Sequence, residues 1–379
     1  MRRRLLLPAL AALVAVPAAL AADPMQGQQW YLKAVGADQA TPPGPGIPLT
    51  IVDSGLDASQ PDFAGRPATT YLDAQTVTGA QEFHGTEVAS VAAAPANGIG
   101  VAGIYPQATL DVWDATPVAG GIQAASAAAG IAAAPCPGVI NLSWGATQRD
   151  PAVDQAIEGA QRRGCLVVAA AGNLGEQGNP VVYPAADLHV LAVGASDESG
   201  QPAMFSSSGV WVDLLAPGAR MEVDTTLERD PSGNVVDSGT SFSSAIAAAA
   251  AAWVWTERPK LTAGQVFSLL KTTTQNGGVL DIPAALAAAT PPNDPREPND
   301  TVAEAAGQTP LKTPNRIAGT LDAVKDPRDF YRIKVPAHRR VRVSATGGAV
   351  ARIVKRTYVE VTLAPGQTTA RYLVSVRAG

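Results

Sequence analysis

The chain has 379 residues, 16% of them charged and 5% aromatic, with abundant Ala and Gly and a formal net charge of −5. That length holds one large core plus a smaller domain, and that composition excludes an intrinsically disordered chain. Residues 23–293 carry 25 acidic and 10 basic side chains, a net of −15, while residues 294–379 carry 8 and 15, a net of +7, which argues for two domains. The basic tail lacks a nucleic-acid motif and reads as a solvated polar face, so no nucleic-acid partner is expected.

Residues 1–22 read as a secretory signal. Arg2, Arg3 and Arg4 precede an apolar run from Leu5, and Ala19-Leu20-Ala21 has the small-residue form of a cleavage site. The alternative is an uncleaved anchor, since the apolar run nearly reaches spanning length. Cleavage implies a secreted protein, extracellular or periplasmic, with no stable membrane insertion afterwards. Residues 23–40, with Trp30 and Leu32, are expected along the domain surface, before a loop at Pro42–Pro48.

Leu49–Val52 reads as a buried strand ending in Asp53-Ser54-Gly55. Parallel sheets deliver carboxylates at such carboxyl ends, although Asp53 alone reads equally as a turn residue. His84-Gly85-Thr86 then opens a helical pattern running to Ala94. The other two histidines, His189 and His338, have no motif around them.

Alternation follows: strand Thr109–Trp113, helix Ile122–Ala134, strand Val139–Ser143 and amphipathic helix Pro151–Arg163. Strand Leu166–Ala171 runs into Gly172-Asn173, and His189–Val193 forms another. Strands alternating with helices imply an α/β fold with a parallel sheet, whose sites lie beyond the carboxyl ends of its strands. Asp53, Ser143 and Asn173 all fall there. Cys136 and Cys165 each precede one of these strands, so neighbouring parallel strands would bring them to one edge. A disulfide is expected, two buried free thiols being the alternative.

Ser241 follows Gly239-Thr240 and opens an Ala-rich helix expected over 242–255. A helix N-terminus favours an anion, which suits a nucleophile that generates an oxyanion. A plain N-cap serine is the competing reading. Pro291–Pro298 reads as a linker. Beyond it, alternating segments at Ile317–Leu321, Asp329–Val335, Val341–Val343, Tyr358–Leu363 and Tyr372–Val376 suggest a small antiparallel β-sandwich.

Over residues 23–290 the chain resembles the subtilisin-like serine peptidases. The resemblance rests on Thr50-Ile51-Val52-Asp53-Ser54-Gly55, His84-Gly85-Thr86 and Ser238-Gly239-Thr240-Ser241, in the Asp, His, Ser order of that family. Asn141-Leu142-Ser143-Trp144-Gly145 and Ala170-Ala171-Gly172-Asn173 lie between them in register. The resemblance implies Ser241 as nucleophile, His84 as general base and acid, Asp53 as its orienting carboxylate and Asn173 as an oxyanion donor. It also implies that Ser143, Trp144 and Gly145, with Ala170, Ala171 and Gly172, form walls for an extended protein or peptide substrate.

Two departures stand out. Ala245 replaces the proline usual in the nucleophile motif, which alters the first helical turn without removing the chemistry. Val182 stands where many relatives have glycine at the floor of the P1 pocket, and is expected to favour small or medium apolar P1 side chains. Asp57 and Asp62 read as structural. The stretch between residue 22 and the Pro-rich loop is too short for the propeptide domain common in relatives, so folding is expected without one or with help from another chain.

No cofactor is expected in the chemistry; structural calcium is common in the family, but the acidic residues are too scattered to assign metal ligands. The tail resembles the bacterial pre-peptidase C-terminal domain. The expected organisation is therefore a signal at 1–22, a peptidase domain at 23–290, a linker at 291–298 and a β-sandwich at 299–379. Two rival functions remain: an acyl-transferring or ester-hydrolysing enzyme on the same triad, and a catalytically silent binding protein on the same scaffold. The sequence assigns no oligomeric state.

Overall fold

The computed structural model describes residues 23–73, 83–116, 121–294, 296–335 and 340–378. The expected signal, Pro295 of the expected linker and His338 lie outside them. A short helix α1 (Trp30–Ala34) leads to β1 (Leu49–Asp53), β2 (Thr69–Tyr71), α2 (His84–Ala93) and β3 (Leu110–Asp114). Then come α3 (Ala124–Ala133), β4 (Val139–Leu142), α4 (Pro151–Arg162), β5 (Leu166–Ala170) and β6 (Val190–Ser196). After β7 (Leu214–Pro217), β8 (Met221–Asp224) and β9 (Asn234–Asp237) form a hairpin that leads into α5 (Thr240–Glu257).

Seven strands make one parallel sheet in the order β2-β3-β1-β4-β5-β6-β7. The apolar runs of β1, β5 and β6 are buried along their whole length, as strands covered on both faces must be. On one face lies α5. Its residues Ala245–Ala252 are wholly buried, and the helix packs against strands β4 to β7. A helix apolar all round belongs inside a protein, and alanine lets its backbone approach the sheet closely. On the other face α4 buries Val153, Ile157 and Ala160. Its start is fixed by Asp150, whose carboxylate accepts the amides of Ala152 (2.8 Å) and Val153 (3.2 Å).

Cys136 and Cys165 are joined, as expected, across a Cα–Cα distance of 5.1 Å. In the chain-entropy view, closing a loop of this size constrains the unfolded chain by about 3–4 kcal/mol.

Helices α6 (Ala263–Thr272), α7 (Ile282–Ala287) and α8 (Val302–Gly307) connect to the tail. There β10 (Asn315–Asp322), β11 (Arg328–Arg332), β12 (Val341–Thr346), β13 (Ala349–Val354), β14 (Tyr358–Leu363) and β15 (Thr369–Ala378) form two antiparallel sheets. Their orders are β10-β15-β12 and β11-β14-β13. Leu321, Tyr331, Val359, Val361, Val374 and Val376 fill the core between them. The expected linker is held in place. Pro291 O accepts from Gln265 Nε2 (2.8 Å), and Asp294 Oδ2 accepts the amide of Thr320 (3.1 Å).

Candidate active site

Strands β1, β4 and β5 lie side by side, so the residues that follow them share one end of the sheet. Asp53 closes β1 and is buried. Its Oδ1 meets His84 Nδ1 at 2.7 Å and accepts the Ser54 amide at 2.8 Å. His84 begins α2, which comes unusually close to the end of β1: a Cβ on Gly85 would overlap the carbonyl oxygen of Gly55. Only glycine there lets α2 present His84 to Asp53. The imidazole remains 36% exposed, open to a ligand on the side away from Asp53. Burial works against its charged form, but the Asp53 carboxylate, with Glu87 and Asp237 farther off, outweighs burial and raises the His84 pKa above its usual 6.5.

Ser241 lies in the first turn of α5. The cap position is Gly239, with no side-chain cap, so the N-cap reading of Ser241 does not hold. The Ser241 hydroxyl donates to Ser143 O at 2.9 Å. Among the described residues no hydrogen bond joins it to His84. The Ser143 side chain lies beneath α5, donating to Ser241 O (2.8 Å) and accepting from Asn141 Nδ2 (2.8 Å). Asn173 Oδ1 accepts both the amide and the hydroxyl of Thr240, each at 2.9 Å, and Thr240 Oγ1 accepts the Gly172 amide at 3.1 Å. The Asn173 amide nitrogen and Ser241 border the same small space beside Gly239. A Cβ placed on Gly239 would lie 3.4 Å from Asn173 Nδ2, 3.7 Å from Ser241 N and 3.8 Å from Ser241 Oγ.

The two expected walls frame Val182, which is buried. A Cβ on Gly145 would fall 2.6 Å from Val182 Cγ1, and one on Gly172 would fall 2.8 Å from Val182 Cγ2. Val182 therefore fills the space between the two glycines. Trp144 is tied to β1 through its indole N–H, which donates to Val52 O at 2.8 Å. Ala170 and Ala171 are buried.

Sequence reasoning missed a second set of residues. Glu87, three positions after His84 on α2, is wholly buried and paired with Arg229 and Thr225. Burial pushes its carboxyl up despite those partners. Arg229 also meets Asp237 Oδ2 at 2.7 Å and covers the Phe83 ring at 3.9 Å, linking the His84 helix to the segment before Ser241. The three-residue spacing from His84 was a readable signal for Glu87; Arg229 had none.

Two acidic groupings carry buried oxygens without hydrogen-bond partners. In one, both oxygens of Asp62 and Oδ2 of Asp224 are unpaired. Burial raises Asp62 to about 6, the Asp23 charge adding to it, and raises Asp224 to about 9, where neighbouring Asp62 adds to it. In the other, ligand atoms of His189, Glu297 and Asp326 lie within 4.8 Å of one another, as do those of Asp294, Glu297 and Asp329. Such oxygen-rich sets suit a hard divalent cation. His189 thus has a structural setting that the sequence did not reveal.

The Subtilase family model matches residues 44–297. Subtilisin Savinase of Lederbergia lenta is 33% identical over 237 residues, 62% of this chain and 86% of that protein. Subtilisin DY of Bacillus licheniformis is 35% identical over 240 residues, again 62% and 86%. The alkaline protease of Alkalihalobacillus alcalophilus is 33% identical over 237 residues, 62% of this chain but 60% of its own length. A solved psychrophilic protease superposes with a TM-score of 0.55 at 27% identity, covering 68% of this chain and 93% of that one. A protease structure from Pseudoalteromonas arctica, at 23% identity, shares the fold with a TM-score of 0.58 over 70% of this chain and 98% of its own. The sheet order, the placement of the site residues and these matches converge: the chain belongs to the subtilase family of serine endopeptidases.

Proposed function

We propose that this chain is a secreted endopeptidase that hydrolyses peptide bonds through Asp53, His84 and Ser241 and an acyl-enzyme. One observation carries the reading: the Asp53–His84 pair, the start of α5 and the Asn173 amide gather at one end of one sheet. Asp53 accepts the Nδ1–H of His84, which leaves Nε2 as the base. The Ser241 hydroxyl turns from Ser143 O to His84, attacks the scissile carbonyl and gives up its proton. The Asn173 amide and the Ser241 N–H stabilise the oxyanion. His84 then protonates the leaving amine, and water repeats the sequence on the acyl-enzyme.

Calcium, which the family resemblance brings, fits Asp294, Glu297 and Asp329, whose carboxylate oxygens lie within 4.8 Å of one another. Its part would be structural, joining loops, with no step of the chemistry routed through it. We divide the chain into a signal at 1–22, a peptidase domain at 23–290, a connecting stretch at 291–298 and a β domain at 299–379. That last domain resembles the pre-peptidase C-terminal type. Among the described residues no helix is long and apolar enough to cross a membrane.

Peptide cleavage in the presence of a primary amine tests the reaction type. Free acid as the main product supports hydrolysis; capture of most acyl groups by the amine supports the acyl-transfer alternative. The acid limb gives a second test. His84 acts as a base only when neutral, and its pKa is raised above 6.5. Thus kcat/KM should fall as pH drops through a midpoint above 6.5, and a midpoint below it contradicts the assignment.

Val182 should set P1 preference. Removing its side chain reopens the space between Gly145 and Gly172, so Val182→Gly is expected to raise kcat/KM for P1 Phe relative to P1 Ala about 10–100-fold, each methylene in such pockets being worth about 1–3 kcal/mol. A wild-type preference for Phe or Arg would remove the basis for this prediction.

A further inference from the structure

The turn between β10 and β11 in the tail reaches into the face of the peptidase domain behind Val182. The turn is rigid: the Asp322 and Asp326 backbones bond each other, and Asp322 Oδ1 accepts the amides of Val324 (2.9 Å) and Lys325 (3.0 Å). It carries Lys325 to a position only 1% exposed, where its ammonium donates to Ala185 O (2.7 Å) and Asp187 O (3.3 Å). Asp213 Oδ2 lies 3.5 Å away. The Lys325 carbonyl accepts the His189 amide at 3.2 Å, and Val324 packs on the apolar cluster that contains Val182 and Ala185.

The segment it grips carries the pocket floor. Val182 leads directly into Tyr183-Pro184-Ala185, and Val182 O accepts the Ala186 amide at 3.0 Å. A buried lysine is costly unless its ammonium is paired, so this one is retained where its donors complete a backbone that would otherwise lack them. Ala185 O is such a group, Asp187 O having the Val190 amide as a second, longer donor (3.4 Å), and holding Ala185 O holds the turn that seats Val182.

We propose that Lys325 is a positioning residue for the P1 pocket, so that the C-terminal β domain is a working part of the specificity site and not a detachable appendage. This rests on the endopeptidase reading above and adds to it the means by which its pocket is held. Removing the Lys325 donors leaves Ala185 O without a partner in the turn after Val182, and Asp187 O with only the Val190 amide at 3.4 Å. The floor then loses its fixed height, which weakens binding of P1 side chains matched to it and relaxes discrimination against larger ones.

The test uses the full chain. Lys325→Met keeps the apolar stem and removes the ammonium. Lys271→Met breaks a neighbouring interdomain bridge, from Lys271 to Asp322 (3.1 Å), together with its bond to Asp213 (3.0 Å) within the peptidase domain, without touching residues 182–189. Both are profiled with peptides differing only at P1 and labelled with a fluorophosphonate. For the preferred P1 residue, Lys325→Met is expected to lose about tenfold in kcat/KM, mainly through KM, because a misplacement near 1 Å costs up to about a hundredfold. Its ratio of Phe to Ala cleavage rises several-fold, while Lys271→Met keeps the wild-type profile.

In the wild type, a peptide aldehyde bearing the preferred P1 residue should increase amide protection at 322–326, since coupling between two sites is reciprocal. A folded Lys325→Met with the wild-type P1 profile, or unchanged protection at 322–326, overturns the proposal. If Lys325→Met does not fold, the protection result alone decides. A wild-type protein that neither labels nor cleaves sinks the endopeptidase reading instead.

Discussion

Replacing His84 with alanine is expected to lower kcat about a million-fold while the protein stays folded, the scale that loss of the triad histidine has in subtilisin itself. His84 is the only described imidazole at the carboxyl end of β1, its Nδ1 is held by Asp53 at 2.7 Å, and its ring is partly open. Glu87, on the same helix, is buried with its Oε1 held by Thr225 and Arg229. The residues of such a site act as one unit, so His84→Ala combined with Ser241→Ala should be scarcely worse than either alone. Measured kcat values for the two single variants and the double variant check this. Losses that multiply would show the two residues acting independently, contrary to the mechanism.

Asn173→Ala should lower kcat about 10²–10³-fold with little change in KM, because its amide meets the oxyanion only in the transition state. Asn173 also has an anchoring part, since Oδ1 holds the amide and hydroxyl of Thr240. Asn173→Asp separates the two. It keeps an acceptor for Thr240 but puts a carboxylate where the donor was, so its kcat should fall at least as far as that of the alanine variant. Near-wild-type kcat in Asn173→Asp would mean that anchoring Thr240 was the whole role.

Local patterns carried much of this structure. The alanine run made α5 readable because helix propensity and all-round burial point the same way there. The bounds of β1, β4 and β5 were readable from short apolar runs ended by Asp53, Ser143 and Gly172. The Cys136–Cys165 pair followed from the two strands that the cysteines precede. What escaped depends on partners far apart in sequence. Arg229 meets Glu87 across 142 positions, and Lys325 meets Ala185 across 140, so no window contains both ends. A lone lysine on a basic tail reads as solvated, and only the docked turn shows it buried. Strand β13 was missed because Arg352 and the preceding Gly347-Gly348 look like loop, although its register with β14 is regular.

The measurement closest to the central claim is intact-mass analysis of the purified protein after reaction with a fluorophosphonate, beside a Ser241→Ala control. One adduct on the folded wild type, absent from the control, is the predicted result, and it makes Ser241 the activated nucleophile. No adduct, or an adduct that survives in the control, would contradict the mechanism and turn attention to the catalytically silent binding scaffold.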